Sequence, residues 1–63
     1  MCESIAYLKD ADDREELLLE DVVLLKPVDG RIVLMNILGE KKEIEAGIEQ
    51  IDLLKHKIVL RKP

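Results

Sequence analysis

The chain has 63 residues, a net charge of −4, one cysteine, one histidine and, as its sole aromatic residue, one tyrosine. That length holds a single domain, residues 1–63, and one thiol excludes a disulfide staple within it. The acidic balance argues against a general nucleic-acid binder, which is normally basic, while 48% hydrophobic beside 38% charged residues excludes a disordered chain.

The start, Met1-Cys2-Glu3-Ser4, has neither a basic region nor a long apolar core, so no secretory signal is read there. No stretch approaches the ~18 apolar residues of a membrane span, and a cytoplasmic home is expected, where a single thiol stays reduced. Residues 2–9 read as a first strand. Residues 11–20 are ambiguous: Asp12 and Glu15 have capping-box spacing before three leucines, which points to a helix start. The same residues run straight into β-branched Val22-Val23, which favours a loop followed by a short strand.

Residues 22–28 and 31–37 are β-branched runs on either side of Asp29-Gly30, a type I′ hairpin signal, because both turn positions need positive φ. Pro27 cannot donate to a ladder and belongs at a strand end or edge. After Gly39, residues 40–48 alternate, with Ile44, Ala46 and Ile48 on one face. The apolar parity then switches to Ile51 and Leu53, which predicts a bulge or sharp bend. Lys55-His56 reads as a second hairpin turn into Ile58-Val59-Leu60. Several short strands in so small a chain predict an all-β fold, a small curled sheet or barrel.

The central hairpin is apolar on both faces. Val22 and Leu24 are expected to face one way and Val23 and Leu25 the other, while Ile32 and Leu34 oppose Val33, Met35 and Ile37. A strand apolar on both sides is normally covered on both. A barrel covers its interior face alone, so the outer face predicts a second copy of the chain, a two-fold homodimer.

No catalytic constellation is present: one His, one Cys and no phosphate-binding glycine motif give an enzyme little to build from. The paired acids at 12–13 and 15–16 read as a solvated loop, His56 as an exposed turn residue and Tyr7 as strand packing. Lys55, Lys57, Arg61 and Lys62 cluster near the C-terminus and read as strand-edge charges that discourage aggregation. An RNA-binding small barrel using those cations is the rival reading.

Cys2 carries the most distinctive chemistry. Most free cysteines are small buried hydrophobes, but the first residues of a domain are seldom well buried, and this thiol sits beside the α-amino group. Their reference pKa values, about 8.5 and roughly 7.7–8.0, let a divalent metal displace both protons near neutral pH. With Met1 removed, the Cys2 amine and thiolate close a five-membered ring on a metal, and two chains offer two nitrogens and two sulfurs. With Met1 retained, its amine, the Cys2 amide nitrogen and the Cys2 thiolate form two fused rings. Both modes favour square-planar geometry, which suits Ni(II) or Cu(II) better than Zn(II).

The ordered set of Met1-Cys2, residues 18–24, Asp29-Gly30, residues 37–40, residues 51–54 and residues 58–60 resembles the CooT family, small nickel-binding proteins associated with maturation of carbon monoxide dehydrogenase. The resemblance spans nearly the whole chain. It implies a small SH3-like β-barrel, a homodimer, Ni(II) bound through Cys2 near the dimer interface, and carbon monoxide dehydrogenase or its maturation proteins as partners. Related sequences have been labelled RNA-binding, which the acidic balance here opposes.

Overall fold

The computed structural model describes residues 3–63 and is all-β. Six strands, β1 (Ser4–Lys9), β2 (Glu15–Val28), β3 (Arg31–Asn36), β4 (Lys41–Glu45), β5 (Gly47–Asp52) and β6 (Lys57–Arg61), make one sheet in the order β4-β3-β2-β1-β6-β5. Neighbours are antiparallel except β1 and β6, which run parallel from Ile5↔Lys57 to Lys9↔Arg61.

This sheet is curled but open, so of the two forms expected, a small curled sheet or a barrel, the chain takes the first. Its edges, β4 and β5, do not pair with each other among the described residues; the chain steps from one edge to the other through buried Ala46. Residues 40–48 were expected to alternate as one strand. They are two, because small Ala46 and Gly47 let the backbone turn a corner there. Curling is what gives a single sheet an interior: Leu34 on β3 and Leu60 on β6 are both fully buried, in one cluster with Ala6, Leu19, Val22, Ile32, Ala46 and Ile58. Burying a leucine so completely stabilises by about 1.5–3 kcal/mol.

Bulges produce the curl. In β2 the register slips near Ala6 and again between Val22 and Leu24, and Asp21 sits at φ 54°. Core-facing residues of β2 therefore come three apart, Leu19, Val22 and Leu25, where a regular strand would space them by two. The face assignment read from alternation is corrected accordingly: Val22 and Leu25 point inward, and Val23 and Leu24 are exposed. The parity switch after Ile48 is a slip between Ile48 and Gln50 against β6. Asp29 and Gly30 take φ 49° and 77°, as a type I′ turn needs. Pro27 lies in the half of β2 that has β3 as its single neighbour, where a missing donor is tolerated.

No helix forms at residues 11–20. Asp10 organises that segment instead: its Oδ1 accepts the N–H groups of Asp12 (2.8 Å) and Arg14 (3.1 Å), and β2 begins at Glu15. A side chain that satisfies loop amides locally competes with a helix start. The expected short strand is the first part of the 14-residue β2.

Candidate metal centre

Cys2 lies outside the described residues, so the site is built from what surrounds the beginning of β1. The parallel pairing of β1 with β6 places that point next to the β5–β6 turn. The Ile5 N–H donates to the His56 carbonyl at 2.9 Å, one step before the Ile5↔Lys57 pair. The turn, residues 53–56, is held from within by the Lys55 N–H, which donates to Asp52 Oδ1 at 2.9 Å. His56 has φ 54°, a left-handed conformation in which histidine is enriched along with Asn and Asp. Its side chain is exposed, as expected for a turn histidine.

Beside this turn is an open apolar cleft of about 300 Å³, lined by Ser4, Val22, Val23, Leu24, Ile51 and Leu53 among others. Val23, Leu24 and Ile51 are close to half exposed, and Leu53 is 80% exposed. Among the described residues, no three His, Cys, Asp or Glu side chains gather into a metal-holding group.

At the opposite end of β1 and β6 the charges are already occupied. Arg61 bonds Glu49 through Nε and Asp13 through Nη2 (2.6 Å), and Lys9 Nζ meets Glu49 at 2.9 Å. The hydrogen bond from Arg61 holds the Asp13 carboxyl below its ordinary range. Hydrogen bonds from Arg61 and then Lys9 do the same for Glu49. Lys57 pairs with Glu15 at 3.0 Å and lies 5.1 Å from the Tyr7 ring centroid. Two members of the C-terminal basic cluster are thus neutralised by the chain's own acids, and the acids at 12–13 and 15–16 are in part their partners rather than a freely solvated loop. Sequence reasoning missed Asp10 and Glu49. Asp10 follows a strand and precedes further acids, a usable Asx-turn signal; Glu49 becomes a partner of Arg61 only through the β5–β6 register.

A single bulged sheet of this size, with no helix long and apolar enough to cross a membrane among the described residues, defines the class: a very small β protein in which the beginning of β1 lies beside the β5–β6 turn. The model of the family described as CooT, CO dehydrogenase accessory protein, matches residues 1–61. The chain belongs to the CooT family. An uncharacterised protein of Methanothermobacter thermautotrophicus (strain Delta H) is 37% identical over 60 residues, which cover 95% of this chain and 88% of that one. A crystal structure of a CooT candidate from Carboxydothermus hydrogenoformans aligns with a TM-score of 0.89 at 39% identity, over 98% of each chain.

Proposed function

We propose that this CO dehydrogenase accessory protein binds Ni(II) through Cys2 and hands the metal on without bond chemistry of its own. The observation that carries the reading is a family match that includes Met1-Cys2, where a thiolate, an amide nitrogen and an amine are linked by five-membered chelate rings. Nickel is here a cargo. Held by few ligands at a chain terminus, it is open to attack by a competing donor on a receiving protein, carbon monoxide dehydrogenase or one of its maturation proteins. Protonation of the thiolate and amine at mildly acidic pH releases it.

Two copies of the chain would act together. The apolar cleft beside Ser4, with Val23, Leu24, Ile51 and Leu53 partly in solvent, supports a homodimer whose interface lies near both N-terminal segments. The protein then works in the cytoplasm as a metallochaperone or nickel store. The RNA-binding alternative loses support from the pairing of Lys57 and Arg61 with Glu15, Asp13 and Glu49, which neutralises two of the four cations in the C-terminal cluster.

Titration with Ni(II), followed by absorbance, tests the proposal. The wild-type protein is expected to develop a thiolate-to-metal charge-transfer band that Cys2→Ser lacks, with affinity lowered at least a hundredfold. Equal affinity in the two proteins rules the reading out.

A further inference from the structure

We infer that the outer face of the β2–β3–β4 half of the sheet is a docking groove for an extended, acidic segment of another protein, one in which carboxylates alternate with aliphatic side chains. The strand registers build this face. Lys26 on β2 and Glu43 on β4 both stand across from Val33 on β3, while Leu24 and Lys41 both stand across from Met35, and residues opposite each other share a face. Ile32 and Leu34, the alternate residues of β3, are buried in the core, so the row through Val33 points away from it. Val33 is shorter than the side chains on either side of it. The result is an open groove of about 510 Å³ with Val33 in its floor, bordered by Leu24, Lys26 and Val28 on one side and by Lys41 and Glu43 on the other. Leu24 is 41% and Val28 38% exposed, and both lysines are exposed.

Charge selects the occupant. The chain has 14 acidic residues against 10 lysines and arginines, and Lys9, Arg31, Lys57 and Arg61 are all paired with acids. Glu43 is taken up by Arg31 at 2.8 Å, and Glu45 stands across from the same arginine. Lys42, which also borders the groove, donates to the Leu18 carbonyl at 2.8 Å. Lys26 and Lys41 have no acidic partner among the described residues, so two cations flank one aliphatic floor in an acidic protein. In an extended peptide successive side chains point to opposite sides. Its aliphatic groups can therefore rest on Val33, Leu24 and Val28, while the lysines, whose ammonium groups reach over the rim, meet the carboxylates between them. Single-stranded RNA fits less well, because base stacking needs aromatic platforms and the sole aromatic residue, Tyr7, is on β1. A second copy fits less well too, since a two-fold contact brings the same lysines toward each other.

The test uses the full-length protein, labelled with nitrogen-15, and a fluorescent octapeptide of alternating glutamate and valine, beside the same peptide with glutamine in place of glutamate. Saturable binding is expected at low salt, with amide shifts concentrated at Lys26, Val33, Lys41 and Glu43. It is expected to be at least tenfold weaker for the glutamine peptide and to weaken steeply in about 0.5 M salt. Lys26→Glu combined with Lys41→Glu is expected to weaken binding at least tenfold, whereas Lys55→Glu, in the β5–β6 turn, stays within twofold of wild type. Absence of saturable binding, equal binding of the glutamine peptide, or shifts confined to other strands overturns the inference without any variant. Shifts of the same amides on dilution of the protein alone assign the groove to a second copy and overturn it. Tighter binding of phosphatidylserine vesicles or of single-stranded RNA than of the peptide, at the same amides, overturns it as well.

Discussion

Asn36 shows how one side chain can organise a connection that has no regular structure. It is 5% exposed, and every polar atom of its side chain is used. Its Oδ1 accepts the N–H groups of Leu38 (3.0 Å) and Glu40 (2.9 Å), and its Nδ2 donates to Glu40 Oε1 at 2.7 Å. The backbone adds Gly39 N–H to the Asn36 carbonyl, with Gly39 at φ 85°, a conformation that glycine adopts without strain. Together these bonds bring the chain from β3 into β4, the first step toward the corner at Ala46. Asn36→Ala strands two loop N–H groups and one carboxylate contact, at a cost of about 2 kcal/mol. In so small a domain that lowers the thermal midpoint by roughly 10 °C, measurable by circular dichroism; a midpoint within 2 °C of wild type would mean the connection is held by its backbone alone. Gly39 marked this boundary in the sequence. Asn36 carried no signal, since its role depends on being buried by strands that are distant in the chain.

Among the elements, the parallel β1–β6 pair is the structural centre, and a charge network fastens its far end. Arg61 on β6 joins Glu49 on β5 to Asp13 in the β1–β2 loop, and Lys9 on β1 reaches the same Glu49. The bonded cations hold Glu49 and Asp13 below the ordinary carboxylate range, so the unfolded chain binds their protons more readily than the folded one. The network's contribution is therefore complete above about pH 4.5, the ordinary glutamate value, and is lost as pH falls through the depressed values. Lys9 and Arg61 are shifted upward, chiefly by hydrogen bonds to Glu49 and Asp13 respectively, so their contribution is complete at neutral pH and fades in strong alkali. Glu49→Gln is expected to melt below wild type at pH 7, with the gap closing between pH 4.5 and 2 and shrinking in 1 M salt. A gap that does not change with pH would assign the loss to packing. None of this was legible beforehand, because it needs the β5–β6 register. The hairpin at Asp29-Gly30, the edge position of Pro27 and the bulge after Ile48 were legible, because turn chemistry and apolar parity are local. The β2 bulges were not: Val22-Val23-Leu24-Leu25 is uniformly apolar, so alternation could not tell which residues turn inward.

For the whole molecule the governing fact is how little interior 63 residues can make. A core of this size rarely supplies more than about 3–5 kcal/mol by itself, and this one is built by curling a single sheet whose edges meet covalently at Ala46 without pairing among the described residues. Two large side chains, Leu34 and Leu60, are fully enclosed, whereas Val23, Leu24, Ile51 and Leu53 remain in contact with water around one cleft. If the proposed homodimer covers that cleft, folding and association are linked, and the thermal midpoint must rise with protein concentration. Leu53 makes the sharpest probe. In a monomer a residue 80% exposed can be changed to aspartate with an effect within about 0.5 kcal/mol, whereas in the dimer Leu53→Asp places an unpaired charge in an apolar interface. The variant is therefore expected to halve the mass seen by light scattering at micromolar concentration, to lower the midpoint and to abolish its dependence on concentration. A wild-type protein of monomer mass throughout the dilution series, with a variant that melts at the same temperature, would show that the cleft stays open to water in a single chain.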